Sequence, residues 1–224
     1  MSTSATAVPS VQPNMVVLIS GSGSNLQALV HASANASINT QISAVISNRP
    51  NAYGIERAKQ AGLKTHVIDH TRFASREAFD QELQATIDQY QPDIVVLAGF
   101  MRILTAEFTQ HYLGRMLNIH PSLLPKYPGL NTHQRALDAG DEHHGVTVHF
   151  VTPTLDDGPN ILQAKIAITD HDDAVSLAQK IQTQEHLIYP QAVNWLANRQ
   201  IEMIDNIAFF EGSPLPVQGL MFNP

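Results

Sequence analysis

The sequence predicts an α/β fold, a Rossmann-like, mostly parallel twisted sheet with helices on both faces. Three observations carry this. MVVLIS over 15–20 is a continuous apolar run with the composition of a strand buried on both faces, and ISAVIS over 42–47 and IVVLA over 94–98 read as further strands. Segments of helical period separate them, so strand and helix alternate as they do in βαβ units. Glycine turns, GSGSN over 21–25 and Gly99, end two of the runs. In the second half, two alternating strands and a long helical stretch add a β-hairpin and a helix to this sheet.

Residues 1–14 lack a basic start and an apolar core, so they read as a flexible tail rather than a signal peptide. The first strand, 15–20, runs into Gly21-Ser-Gly-Ser-Asn25, and a helix begins near Ser24 with Leu26, Leu29 and Val30 on one side. Backbone N–H groups at such a helix start face an anion, and glycine lets it come close; a plain tight turn is the ordinary alternative. A dinucleotide fingerprint requires a third glycine where Leu26 stands and an acid closing the second strand, which ends in Ser47-Asn48. A phosphate-binding P-loop requires a Gly-Lys pair, and the turn has no lysine. The turn therefore suits a single phosphate group.

A helix over 55–61, a stop at Gly62, a strand over 64–68 and an amphipathic helix over 75–90 continue the alternation to the strand at 94–98. Gly99 ends this second central strand, which places 100–104 over the same sheet edge as the first glycine turn. Met101, Ile103 and Leu104 read as the buried side of a helix, with backbone groups free to face a ligand.

The stretch RMLNIHPSLLPKYPGL over 115–130 changes from buried strand to stiff polar loop. Met116, Leu117 and Ile119 suit a core, whereas Asn118 and His120 bring an amide and an imidazole to the strand end, where open α/β sheets bind ligands. Pro121, Pro125 and Pro128 restrict the loop that follows, so it can hold side chains for chemistry. In the ordinary reading, Asn118 caps a turn and His120 is a hydrogen-bonded structural histidine. Thr132 is expected to cap a short helix through Ala139.

His143 and His144 fall in an acidic turn without metal-ligand spacing and read as solvated surface. A half-buried strand over 145–151 carries His149, either a packed core histidine or a residue lining the site. The turn LDDGP over 155–159 joins it to a partner strand over 161–168, and Asp156 or Asp157 has the option of purely local Asx-turn bonds. One helix is expected from Asp172 to Arg199, kinked or restarted at Pro190, with Glu185 and His186 on a solvated face. Residues 201–224 read as a terminal hairpin or strap.

Composition narrows the function classes. A net charge of -7 with no basic cluster argues against nucleic-acid and anionic-membrane binding, and no apolar run approaches a membrane span. The absence of cysteine excludes disulfides, thiolate metal sites and a cysteine nucleophile, and fits a reducing, cytoplasmic setting.

ISGSGSNLQAL, VVLAGFMRIL, LNIHPSLLPKYPGL, GVTVHFVTPTLDDGP, ILQAK and QTQEHLIYP resemble, in order, the motifs of the folate-dependent phosphoribosylglycinamide formyltransferase family. The resemblance covers roughly 15–200 and implies one formyltransferase domain, with a nucleotide-binding half to about 115 and a folate-cleft half after it. It implies 10-formyltetrahydrofolate as co-substrate, glycinamide ribonucleotide as acceptor, no metal, and a monomer or homodimer. It makes Asn118, His120 and Asp156 the catalytic group with His149 beside them. Gly23, Ser24, Asn25 and Glu185 correspond to ribonucleotide contacts, and Arg76, Met101, Arg102, Ile103, Leu104 and Asn118 to the folate side. Two positions depart from the family pattern: Asn131 stands where some relatives carry histidine, and Asp157 where a glycine often follows the aspartate. Relatives that hydrolyse formyltetrahydrofolate carry an added N-terminal domain, and those acting on initiator tRNA an added basic C-terminal one. The first strand at Met15 and the acidic balance point away from both.

Formyl transfer to an amine passes through a tetrahedral species whose oxygen is negatively charged, so the site has to present donors there. Asn118 and a protonated His120 are the candidates, and a carboxylate at Asp156 favours the charged ring. His120, Asp156 or a held water then carries the proton from the amine to the departing folate nitrogen.

Overall fold

The computed structural model describes residues 12–223. The expected tail over 1–14 lies for the most part outside them. The elements run β1 (Asn14–Ile19), α1 (Ser24–Ala34), β2 (Gln41–Ser47), α2 (Tyr53–Gln60), β3 (Thr65–Val67), α3 (Arg76–Asp88), β4 (Ile94–Leu97), α4 (Ala106–His111) and β5 (Met116–His120). They continue with α5 (Thr132–Asp138), β6 (His143–Phe150), β7 (Asn160–Ala167), α6 (Ala174–Ala197), β8 (Ile201–Ile204), β9 (Ile207–Phe210), β10 (Ser213–Pro214) and β11 (Leu220–Met221).

The main sheet has eight strands in the order β11-β7-β6-β5-β4-β1-β2-β3. The pairs from β3 through β5 are parallel, β6 and β7 run antiparallel, and β11 closes the other edge parallel to β7. Side-chain alternation along β1 explains the two covered faces. Met15, Val17 and Ile19 enter one core with α1, α2 and α6, whereas Val16 and Leu18 enter the other with α3 and α4. A strand feeding both cores must be apolar at every position, which is why MVVLIS shows no alternation. The strand order reverses between β1 and β4, so the turns after these two strands diverge there and open a crevice.

Several expectations are corrected. Residues 99–105 form no helix; Met101 and Ile103 are exposed and Leu104 alone is buried, so the helix-core reading fails. Asn131, at φ 59, takes the cap position of α5 without a side-chain bond, and Thr132 is the first helical residue. His143 and His144 begin β6 rather than a turn, and His144 is buried, bonded to His133 at 3.1 Å. The helix from Asp172 is one element that runs through Pro190, with Asp173 and Ser176 forming its capping box. Residues 201–223 are more than a hairpin, because β8, β9 and β10 form a separate small sheet before β11 joins the main one. Among the described residues, no helix is long and apolar enough to cross a membrane.

Candidate active site

The antiparallel half of the sheet brings the candidate catalytic side chains together. Asn118 and His149 are cross-strand partners on β5 and β6, and Asp156 projects from the turn between β6 and β7. The His120 ring lies between two oxygens. Its Nε2–H donates to the Tyr127 carbonyl at 2.8 Å, and its Nδ1 is 3.4 Å from Asp156 Oδ2. Asp156 makes no local Asx-turn bond with that carboxylate; Oδ2 accepts the Gly129 N–H at 2.8 Å. Both side chains are almost fully buried, at 7% and 6% exposure. Asp156 sits at φ 51, an uncommon backbone state for a non-glycine residue that the tight turn imposes.

His149 has one defined tautomer. Nδ1–H donates to the Phe150 carbonyl at 2.8 Å, so Nε2 presents a lone pair to the Asn118 amide at 3.1 Å. Burial pushes this imidazole down to about 4, keeping it neutral near neutral pH. A neutral acceptor there turns the Asn118 NH2 inward and assigns which end of the amide is the donor. His149 is thus a positioning residue for Asn118, and its Nε2 stays 3.9 Å from Asp156 Oδ1.

The proline-bearing loop is held from below by buried side chains. Thr147 Oγ1 donates to the Ser122 carbonyl at 2.7 Å and accepts from the Leu124 N–H at 3.0 Å; Gln163 Nε2 donates to the Leu124 carbonyl at 2.9 Å. Ser122 Oγ donates to the Lys126 carbonyl at 2.6 Å, and the Leu124–Pro125 peptide is cis. These bonds place the Tyr127 carbonyl that receives His120.

The glycine turn after β1 opens α1 at the switch point of the sheet. Gly23, at φ 72, occupies the cap position of α1, where a Cβ would stand 2.6 Å from the Gly54 Cα. Only glycine fits that conformation and that contact. Asn25 is buried and donates from Nδ2 to Glu185 Oε2 at 2.8 Å, while its Oδ1 has no partner. Glu185 is therefore not on a solvated face, and burial raises its carboxyl above the ordinary range despite the Asn25 bond. Ser24 Oγ accepts from Gln182 Nε2 at 3.1 Å, so α6 grips the turn at two points one helical turn apart.

The segment after Gly99 runs between these two regions. The Met101 N–H donates to Ser20 Oγ at 2.7 Å, and Ser20 donates to Asn48 at 2.6 Å. The Arg102 guanidinium stacks on Phe79 with 4.7 Å to the ring centroid, and Asp80 Oδ2 accepts the Thr105 N–H at 2.6 Å. The segment is thus tied down at both ends while Met101 and Ile103 present apolar side chains outward. Arg76 stands exposed at the start of α3, with its charge acting on Asp80.

Residues 13–193 match the formyl transferase family. A phosphoribosylglycinamide formyltransferase of Escherichia coli is 55% identical over 206 residues, covering 92% of this chain and 97% of that protein. The solved phosphoribosylglycinamide formyltransferase of Coxiella burnetii superposes with a TM-score of 0.91 at 50% identity, covering 95% of this chain and 100% of that one. A glycinamide ribonucleotide transformylase of Symbiobacterium toebii gives 0.86 at 40% identity over 89% and 94%.

The chain belongs to the formyl transferase family.

Among the residues anticipated from sequence, the fold gathers Asn118, His120, His149 and Asp156 into one largely buried group, and Gly23, Ser24, Asn25 and Glu185 into a second, partly buried one. Arg76 joins neither through a hydrogen bond among the described residues. Sequence reasoning passed over Ser20, Asp80, Thr147, Gln163 and Gln182. It also passed over Tyr189, whose hydroxyl reaches the Leu97 and Leu117 carbonyls of the neighbouring strands β4 and β5 at 2.8 and 3.1 Å. Of these, Gln182 alone carried a usable signal, lying three residues before Glu185 on the same face of α6.

Proposed function

We propose that this formyl transferase moves a formyl group from 10-formyltetrahydrofolate to the terminal amine of glycinamide ribonucleotide, giving the formylglycinamide ribonucleotide and tetrahydrofolate. The carrying observation is the His120 ring held between the Tyr127 carbonyl and the Asp156 carboxylate, beside an Asn118 amide oriented by His149. Acceptors at both ring nitrogens suit a doubly protonated imidazole. The Nδ1 contact, at 3.4 Å, is longer than the roughly 2.7–2.9 Å of a strong charge-assisted bond. With the ring fixed through Nε2, Nδ1–H is a donor that a substrate oxygen can share with Asp156.

In this reading the amine nitrogen attacks the formyl carbon, and the carbonyl π electrons move onto oxygen. Asn118 Nδ2–H and His120 Nδ1–H stabilise that oxyanion. Collapse of the tetrahedral species re-forms the carbonyl and breaks the carbon–nitrogen bond to the folate. The proton lost by the amine goes to the departing folate nitrogen through Asp156, His120 or a held water. The ribonucleotide phosphate belongs at the Gly23–Asn25 turn, where helix-start N–H groups face outward, and its amine end points along the crevice toward Asn118. The folate lies along 99–104, whose backbone and exposed Met101 and Ile103 offer polar and apolar contact.

The test mixes the protein with 10-formyltetrahydrofolate and follows absorbance of the deformylated folate, with and without glycinamide ribonucleotide. The expected result is turnover that depends on the acceptor. Equal turnover without it would make the protein a hydrolase, and binding without turnover would make it a carrier; either outcome overturns the proposal.

A further inference from the structure

Beyond the 13–193 family match lies a segment that grips the strand issuing from the Asp156 turn. After β10, the chain crosses to the main sheet, where Leu220 and Met221 pair with Leu162 and Gln163 of β7. The Phe222 N–H donates to the Gln163 carbonyl at 2.7 Å. Gly219 sits at φ +76 with its would-be Cβ 2.7 Å from the Ile161 carbonyl carbon, so the strap presses on the backbone of β7. Asn160, the first residue of β7, is 8% exposed and donates from Nδ2 to the Val217 carbonyl at 2.9 Å.

Asn160 also lies opposite His149, at the register shift between Val148 and His149. The turn carrying Asp156 is therefore closed at its base by one cross-strand bond, Phe150 N–H to the Pro159 carbonyl at 3.0 Å, and by the Asn160 link to the strap. On the outer side, a cavity of about 240 Å³ is lined by Asp156, Asp157 and Pro159 from the turn and by Leu215, Pro216 and Val217 from the strap. Across such a gap, a polar link is what transmits position.

We propose that residues 213–223 brace the Asp156 turn from outside, with Asn160 as the positioning residue that joins brace to turn. The proposal rests on the catalytic reading of Asp156 given above. Losing the link lets the turn settle into the cavity, which lengthens the Asp156–His120 contact without touching the Gly23–Asn25 turn. Displacements near 1 Å at a reacting group are worth up to about 10²-fold in rate, and a brace one step removed should account for about a tenth of that.

Asn160→Ala is to be compared with Asp156→Asn and with the Asn160→Ala/Asp156→Asn double variant. Turnover, KM for each substrate and the pH–rate profile are measured on each. The expected result is turnover lowered about 10-fold by Asn160→Ala with the ribonucleotide KM within about twofold, a displaced pH profile, and almost no further loss in the double variant. Wild-type turnover and pH profile in Asn160→Ala, with Asp156→Asn impaired, would sink the brace and leave the catalytic reading standing. Equal fractional losses from Asn160→Ala with and without Asp156 would reduce it to a general stabilising contact and sink it too. Full turnover in Asp156→Asn would overturn the catalytic reading first, and the brace with it.

Discussion

The two sides of the crevice are built on different principles. The Gly23–Asn25 side lies in the parallel half, where a strand end and a helix start supply backbone N–H groups, and side chains mainly hold that backbone in place. The Asn118–His120–Asp156 side lies where the sheet turns antiparallel, and its groups are buried side chains brought from separate segments. Backbone donors exist wherever a helix begins. Side-chain donors have to be aimed, and that explains why His149, Tyr127 and the Thr147–Gln163 pair stand behind the second region. Damage to the first region should appear as weaker binding, and damage to the second as slower chemistry.

The largest effect that would sharpen this contrast is Asp156→Asn. It should fold, bind the ribonucleotide nearly as before and lose about 10²–10³ in turnover, the scale of one lost transition-state contact. Steady-state kinetics across about pH 6 to 9 check it, and wild-type turnover throughout would erase the distinction between the two sides. Gly23→Ala comes next. With φ +72 and a Cβ 2.6 Å from Gly54, it should lower the unfolding free energy by about 1–3 kcal/mol and raise the ribonucleotide KM more than it lowers kcat. Denaturant melts and initial rates on one preparation separate these effects; a pure kcat defect would contradict the assignment.

The smallest effects concern pH, and the two sides carry opposite signs. His149 has a folded pKa near 4 against an ordinary 6.5, so between those values the unfolded chain binds the extra proton. Its contribution to stability is present above 6.5 and lost as pH falls through that window. Glu185 has a folded value raised above 4.5, so the folded chain holds its proton longer, and the associated stability is lost as pH rises past 4.5. His149→Gln should therefore flatten the acid-side fall in melting temperature, whereas Glu185→Gln should remove a small decline on the way up from about 4.5. Melting curves at stepped pH decide both. Matching slopes in the two variants would mean that neither side titrates as its burial implies.

Legibility divides along the same line. β1 and β4 were readable because strands feeding two cores must be apolar throughout, β2 from its Ala44–Ile46 centre, and α1 because a glycine turn opens it. Asn118, His120 and Asp156 were readable as an ordered set of motifs, though no local pattern showed that a residue from the β6–β7 turn meets a ring at the end of β5. The misreadings share one cause. His144, Glu185 and the 99–104 segment were judged by polarity or apolarity along the chain, whereas neighbours distant in sequence decided their burial: His133 for the first, Asn25 for the second, Ser20 and Asp80 for the third.

The amino-acid order alone determined the alternation of strand and helix, the glycine turn that opens the first long helix, and the exclusion of disulfide or thiolate chemistry. These depend on local period and residue type, which the chain carries with it. Tertiary structure alone decided which nitrogen of His149 bears the proton, how Asn118 is turned, what faces each side of the His120 ring, and that the C-terminal strap reaches the strand leaving Asp156. Each of these is an angle or distance between segments far apart in sequence, and such quantities exist only after the sheet has assembled.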